Sequence, residues 1–351
     1  MNFVRKALLV ILTPIFVTLL FATAFDTGVV RVATHPATVK KIVADSGVYN
    51  NIIPSLLKQA GSVNSQTGSV ELTNPAVQSA AKTTFSPQFL QTTTNSTIDS
   101  IYAWLDGKTT VPNFKIDLTS QKQQFAELVA QAAGTQATSL PACTTPVDMS
   151  SYNVFTANCL PAGTTASDVS GGTLNTLLSG KGFLDNPVIT ADTVKASGSN
   201  QSVFTDKLKN VPPNYRRAKQ TPLILALLTL LVGTAIVFLC STRRKGLRHV
   251  AITVAAIGIF MLLFAWGLNE AVSKEVPKVS FNNAAFDTNV RALVTDLAQA
   301  IDKNYWWFGG VYTALGIAGI GGIWYTKKGS AHPTEHEADK KTFQPPVKSK
   351  V

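Results

Sequence analysis

A chain of 351 residues with 45% hydrophobic content and a mean hydropathy of +0.16 has room for one or two domains and several membrane spans. Its net charge of +11 would suit a nucleic-acid partner only if the cations formed one contiguous face. They flank apolar runs instead, which excludes nucleic acid as the partner and points to the lipid bilayer.

Four runs free of charge, at 7–25, 222–241, 250–268 and 306–325, are each about 20 residues, the length that crosses ~30 Å of hydrocarbon. With the N-terminus in the cytoplasm, segments 1–6, 242–249 and 326–351 hold 12 Lys/Arg against 3 Asp/Glu, and the other side holds 19 against 17. Cytoplasmic loops carry such an excess of Lys and Arg. The expected fold class is therefore a membrane protein: a bundle of three to four transmembrane helices plus a mainly helical α+β extracytoplasmic domain. Its expected localisation is the cell membrane, multi-pass, with the C-terminus cytoplasmic.

Residues 1–25 are read as a retained transmembrane anchor. Arg5 and Lys6 before the run and Ala22-Thr23-Ala24 at its end also fit a signal peptide with a small-x-small cleavage site. Either reading leaves 26–220 outside.

Within 26–220, His35-Pro36 opens a helix with Val39, Ile42 and Val43 on one face, closed at Gly47. Tyr49, Ile52, Ile53, Leu56 and Leu57 mark a second helix ending at Gly61, and Asn74-Pro75 starts a third. Ser86 as N-cap with Pro87 at the first helical position begins the strongest one, whose stripe Leu90, Thr94, Ile98, Ile101 and Leu105 is predicted to face the core. Alternation predicts a strand over 114–118, and Ser120 is the expected cap of a helix with Phe125, Leu128, Val129 and Ala132 inside. Residues 134–172 are rich in Thr, Ser, Gly and Ala and read as a long loop, held by a disulfide between Cys143 and Cys159, which share an oxidising compartment. A short strand is expected at Val188-Ile189-Thr190, and Pro212-Pro213 closes the domain.

Residues 221–268 read as a transmembrane hairpin around the basic cytoplasmic loop 242–249. In the extracytoplasmic segment 269–305, Phe286, Val290, Leu293, Leu297 and Ile301 recur at helical spacing. That amphipathic helix, 286–305, is predicted to pack on the outer domain and to run unbroken into the last span, 306–325. In that span Gly310, Ala314, Ala318 and Gly322 form a ridge of small residues, suited to packing within the chain or to a homo-oligomer contact. Trp306 and Trp307 at one end and Trp324 and Tyr325 at the other match interfacial aromatic belts. The tail 326–351 is expected to be cytoplasmic and disordered.

Two stretches carry a resemblance. Val39 to Tyr49, and Phe85-Ser86-Pro87 continuing through Ile98 to Lys108 and Phe114 to Leu118, resemble a recurring pattern in multi-pass bacterial envelope proteins with an extracytoplasmic domain. The likeness covers about the first half of the outer domain and falls on core and capping positions. It implies an architecture and no active site.

Catalytic motifs were weighed against their context. His332-Pro333-Thr334-Glu335-His336 has the H-x-x-E-H spacing of a zinc peptidase, but a proline interrupts it and no folded domain follows to supply a third ligand. Ser55-Leu56-Leu57-Lys58 has S-x-x-K spacing without its companion motifs, and Ser179-Gly180-Lys181-Gly182 lacks a full phosphate-loop spacing. The four runs contain no Asp, Glu, Lys, Arg or His, which argues against active transport. No catalytic, cofactor-binding or metal residue is expected, and no cofactor. The expected function is a non-enzymatic envelope protein whose outer domain binds a protein, a wall polymer or a lipid. Two alternatives stay open: a sensory or accessory subunit coupling the outer domain to a cytoplasmic partner, and an envelope enzyme using Asp99, Asp106 and Asp117.

Overall fold

The computed structural model describes residues 2–53, 74–148, 152–179, 184, 186–195, 200–278 and 284–328. The chain is mostly helical. Its elements are α1 (Asn2–Ala33), α2 (Pro36–Asp45), α3 (48–53), α4 (Pro75–Thr84), α5 (Pro87–Leu105), β1 (Lys115–Asp117), α6 (Thr119–Thr138), α7 (Ala166–Ser179), β2 (Val188–Thr190), α8 (Val211–Leu239), α9 (Arg243–Glu275), a 3-10 turn at Val276–Lys278 and α10 (Ala284–Lys328).

Four helices, α1, α8, α9 and α10, are long and apolar enough to cross a membrane. This is the architecture of a multi-pass membrane protein. The bundle core holds Phe16, Leu20 and Ala24 of α1, Ile236 of α8, Ile257, Met261 and Ala265 of α9, and Tyr305 of α10. In lipid such helices gain little from hiding apolar surface from one another, so close backbone approach and hydrogen bonds hold them together. Gly233 lies against the Phe16 ring, and the hydroxyls of Thr23 and Thr229 pair at 3.1 Å. At the far end of the bundle Arg5 donates to the carbonyls of Phe238, Leu239 and Cys240, the last groups of α8. A cation there satisfies orphan carbonyls and complements the helix dipole.

The closest pair is α9 with α10. Gly258 meets Thr313 and Gly309, and Gly316 meets Ala251 and Ala255. The contact face of α10 is thus Gly309, Thr313 and Gly316. The ridge Gly310, Ala314, Ala318 and Gly322 lies largely on the opposite side of the helix, and all four residues are exposed. Of the two uses expected for that ridge, packing within the chain is not the one seen.

The domain between α1 and α8 is built around α6. Its residues Phe125, Ala126 and Val129 pack on Val77, Ala80 and Ala81 of α4 and on Leu177 of α7, and farther along Ala133 and Ala137 meet Val154. Each large side chain so buried contributes about 1.5–3 kcal/mol. Alanines on the α6 face let α7 come close, with Gly134 against Ser170.

Several expected elements form, with corrections. Asn74 caps α4 and Ser86 caps α5, and both helices carry proline in the first turn. The stripe Leu90, Thr94, Ile98, Ile101 and Leu105 is only half-buried, and Trp104 is the buried residue of α5. The apolar face of α5 is satisfied by lighter contacts with α2 and α8, while α6 takes the central position. The N-cap position of α6 is Leu118, without a capping side chain; Asp117 just before it accepts from the Thr119 amide and hydroxyl through Oδ1, and Ser120 bonds Gln121 instead. Strands β1 and β2 pair antiparallel with Ile116 opposite Ile189, and Phe114 and Leu118 flank β1 inside the core.

The loop expected at 134–172 is shorter than predicted. Helix α6 continues to Thr138, and α7 begins at Ala166. Between them Cys143 and Cys159 are bonded, with Cα atoms 5.0 Å apart, beside a bridge in which Cys143 N donates to Leu160 O and Leu160 N to Pro141 O. Helix α7 opens on a reciprocal cap: the Thr165 amide donates to Asp168, and the Asp168 amide to the Thr165 hydroxyl.

Helix α10 is unbroken from Ala284 to Lys328. Its stripe does not lie mainly on the domain. Val290 and Leu293 are half-buried, Leu297 is 41% exposed, Ile301 packs on the bundle core, and α9 is the principal neighbour. The side chain of Phe286 falls outside the described residues. Contact with the domain is made at α2 and at α3, where Asn51 donates to Asn289.

Candidate functional site

The domain meets the bundle at one end of the four long helices, and the polar chemistry of the chain concentrates there. Helix α1 does not stop where its apolar run ends. Residues 26–33 continue it, because nothing breaks the helix before His35-Pro36. Helices α8 and α10 likewise begin well above their apolar runs. The spans thus become a short polar collar on which α2 and α5 sit.

At the floor of the collar the Tyr305 ring is 1% exposed, stacked on Phe25 at 5.7 Å and edge-on to Phe264 at 5.5 Å. It lies directly over Gly28, where a Cβ would collide with the ring, and its hydroxyl donates to Phe25 O. Asn304 donates to Gly28 O and Ala300 O at 3.2 Å each. Asp26 Oδ2 and Asp302 Oδ1 are buried with no donor among the described residues. Tyr102 of α5 closes the collar by donating to Ala33 O at 2.6 Å, and burial raises the pKa of this phenol.

Among the described residues, two clefts open on this collar. The larger, about 930 Å³, lies between α1, α2 and α10. Its charged lining is Arg31, Lys41 and Lys303 against Asp45 and Asp296, with Trp306 and Trp307 at its base. Lys41 is paired with Asp45 at 2.6 Å, and that hydrogen bond raises the lysine's pKa. Arg31 and Lys303 take part in no ion pair among the described residues. The smaller cleft, about 410 Å³, lies where α5 approaches α8, lined by Trp104, Phe204, Lys209 and Arg216. Trp104 and Phe204 meet edge-to-face at 5.5 Å, and Lys219 pairs with Asp106 at 2.7 Å.

The carboxylates weighed for an enzyme do not converge. Asp99 pairs with Lys40 at 2.5 Å, Asp106 with Lys219, and Asp117 accepts from Thr119 at the start of α6. Among the described residues no three His, Cys, Asp or Glu side chains cluster as metal ligands would. His35 is an exposed turn residue whose Nδ1 lies 2.6 Å from Arg31 O. Residues 332–336, 55–58 and 180–182 lie outside the described residues.

Sequence reasoning missed the collar. It ended each span at the last apolar residue, so Asp26, Arg31, Asp302 and Lys303 went unremarked. Their signal is a charge within two turns of an apolar run on a helix with no breaker between them.

Comparison with known protein families, with curated proteins and with solved structures finds no match.

Proposed function

We propose that this chain is a non-enzymatic integral membrane protein of the cell envelope, whose extracytoplasmic domain binds an envelope component: a protein, a wall polymer or a lipid. The observation that carries this reading is the pair of open clefts on the collar, each lined by cations and aromatic rings. Concave sites with a few convergent polar groups are the usual places for ligands. The Lys/Arg excess on 242–249 supports the domain's being outside, and the disulfide supports an oxidising compartment. Helix α1 supplies Phe16, Leu20 and Ala24 to the bundle core, which supports its retention as an anchor. The resemblance to multi-pass bacterial envelope proteins agrees with this architecture.

A photo-crosslinking residue at Lys41 or Lys209, each lining one cleft, tests the reading in intact cells. Adducts at these positions in excess of those at Gln124, exposed on α6, are expected. Equal labelling at all three would contradict it.

One observation favours a second reading, the sensory or accessory subunit. Helix α10, 45 residues long, touches α2 and α3 toward one end and continues to the other side of the bundle. Displacement of the domain on binding would be carried along it as along a rod.

A further inference from the structure

The larger cleft stands at a particular depth. The apolar run of α1 ends at Phe25, six residues before Arg31, and that of α10 begins at Trp306, three residues after Lys303. At about 1.5 Å per residue the two cations stand roughly 9 Å and 5 Å above the hydrocarbon edge. The polar layer of a bilayer is about 5–8 Å deep on each side. Trp306 and Trp307, 46% and 57% exposed, sit at the edge itself, where tryptophan is enriched. Lys303 thus falls within that layer and the long Arg31 side chain reaches down into it from just above, so the cleft sets an aromatic base at the hydrocarbon edge beneath two cations that take part in no ion pair among the described residues.

From this geometry we propose that the α1–α2–α10 cleft holds the headgroup phosphate of an anionic phospholipid. Arg31 and Lys303 contact the phosphate, and the Trp306 and Trp307 rings lie along the glycerol and upper acyl chain. Three cations against two carboxylates leave the lining net positive, and Asp45 is already engaged with Lys41, so an anionic lipid is preferred over a zwitterionic one. Asn304 is satisfied by Gly28 O and Ala300 O and does not compete. This inference rests on the reading of the domain as a binding module at the outer membrane surface, and it names the ligand class of one of its clefts.

The test uses the full-length protein in nanodiscs of phosphatidylcholine mixed with phosphatidylglycerol, with native mass spectrometry counting the lipid retained on release. Wild type is expected to retain phosphatidylglycerol above its bulk fraction. R31Q/K303Q should weaken that preference roughly thirtyfold, the order expected for two cations near a phosphate layer. K82Q/K108Q, exposed on the domain and lining neither cleft, should leave it unchanged, and R31K/K303R should restore it if the double glutamine variant folds poorly. An unchanged preference in R31Q/K303Q, or equal loss in K82Q/K108Q, would overturn the proposal. So would saturation of the cleft by inorganic phosphate or glycerol phosphate in pure phosphatidylcholine nanodiscs, which marks a free-anion site. Brominated phosphatidylcholine separates the two levels of failure. In a W104F/W266F/W324F background, absence of quenching of Trp306 and Trp307 would put the collar away from the bilayer and sink the functional reading as well. Quenching without headgroup preference would sink the lipid alone.

Discussion

A Cβ added to Gly258 would stand 2.5 Å from Thr313 Oγ1 and 2.9 Å from Gly309 O, so a side chain there must part α9 from α10. Around Gly310 nothing lies within 4 Å. Gly258→Val is therefore expected to destabilise the detergent-solubilised protein by about 1–3 kcal/mol or more, the usual cost of overpacking, while Gly310→Val leaves the monomer's stability close to wild type. Unfolding followed by circular dichroism checks both, and equal losses would place the helix interface on the wrong face. The residue scale also sets an acid dependence. The Thr165 hydroxyl and amide hold the Asp168 carboxyl below its ordinary range, as Thr119 does for Asp117. Each folded-state pKa is lower than the unfolded value, so the contribution to stability is present above about pH 4 and is lost as pH falls through the folded pKa. Asp168→Asn should lower stability at neutral pH and flatten the decline below about pH 4, read from thermal melts across that range. A variant with an undiminished acid decline would contradict the assignment. Residues of this kind were legible where a cap precedes its helix in the familiar order, as at Asn74 and Ser86. Thr165-Ala166-Ser167-Asp168 is an equally good signal, hidden by the small-residue composition around it.

At the scale of elements, the disulfide and α10 carry the main expectations. Cys143 and Cys159 fasten the connection between α6 and α7, whose facing residues include Gly134 and Ser170. Closing a loop of this length restricts the unfolded chain by ~3 kcal/mol. Cys143→Ser/Cys159→Ser should lower the domain's melting temperature without changing the bundle's helical signal, and an unchanged melt would show that the pair holds nothing. The stripe on α10 was legible as a pattern, and its continuity into the last span followed from the lack of a breaker. Its partner was not legible. Amphipathicity says that one face must be covered, and α9, extending past its own apolar run to Glu275, covers it before the domain does. Leu297→Gln should consequently be tolerated and Ile301→Gln should not, because Ile301 packs on the bundle core. The last span has the same ambiguity. Both Gly309/Thr313/Gly316 and Gly310/Ala314/Ala318/Gly322 are small, so composition offers two seams and only packing chooses.

At the scale of the whole molecule, three to four spans and an intervening helical domain with two short strands could be read from run length, proline and glycine punctuation and alternation. The collar could not, because it arises from helices outlasting their apolar runs, and hydropathy marks where the runs end. The functional reading needs the domain and both clefts on the outer face and the basic 242–249 loop on the inner one. The most direct test is accessibility in intact cells, in a Cys240→Ser background whose other two cysteines are bonded to each other. An impermeant maleimide should label Lys108→Cys, exposed beyond α5, without permeabilisation, and should label Lys245→Cys only after it. Labelling of position 245 from outside, with position 108 protected, would contradict the account.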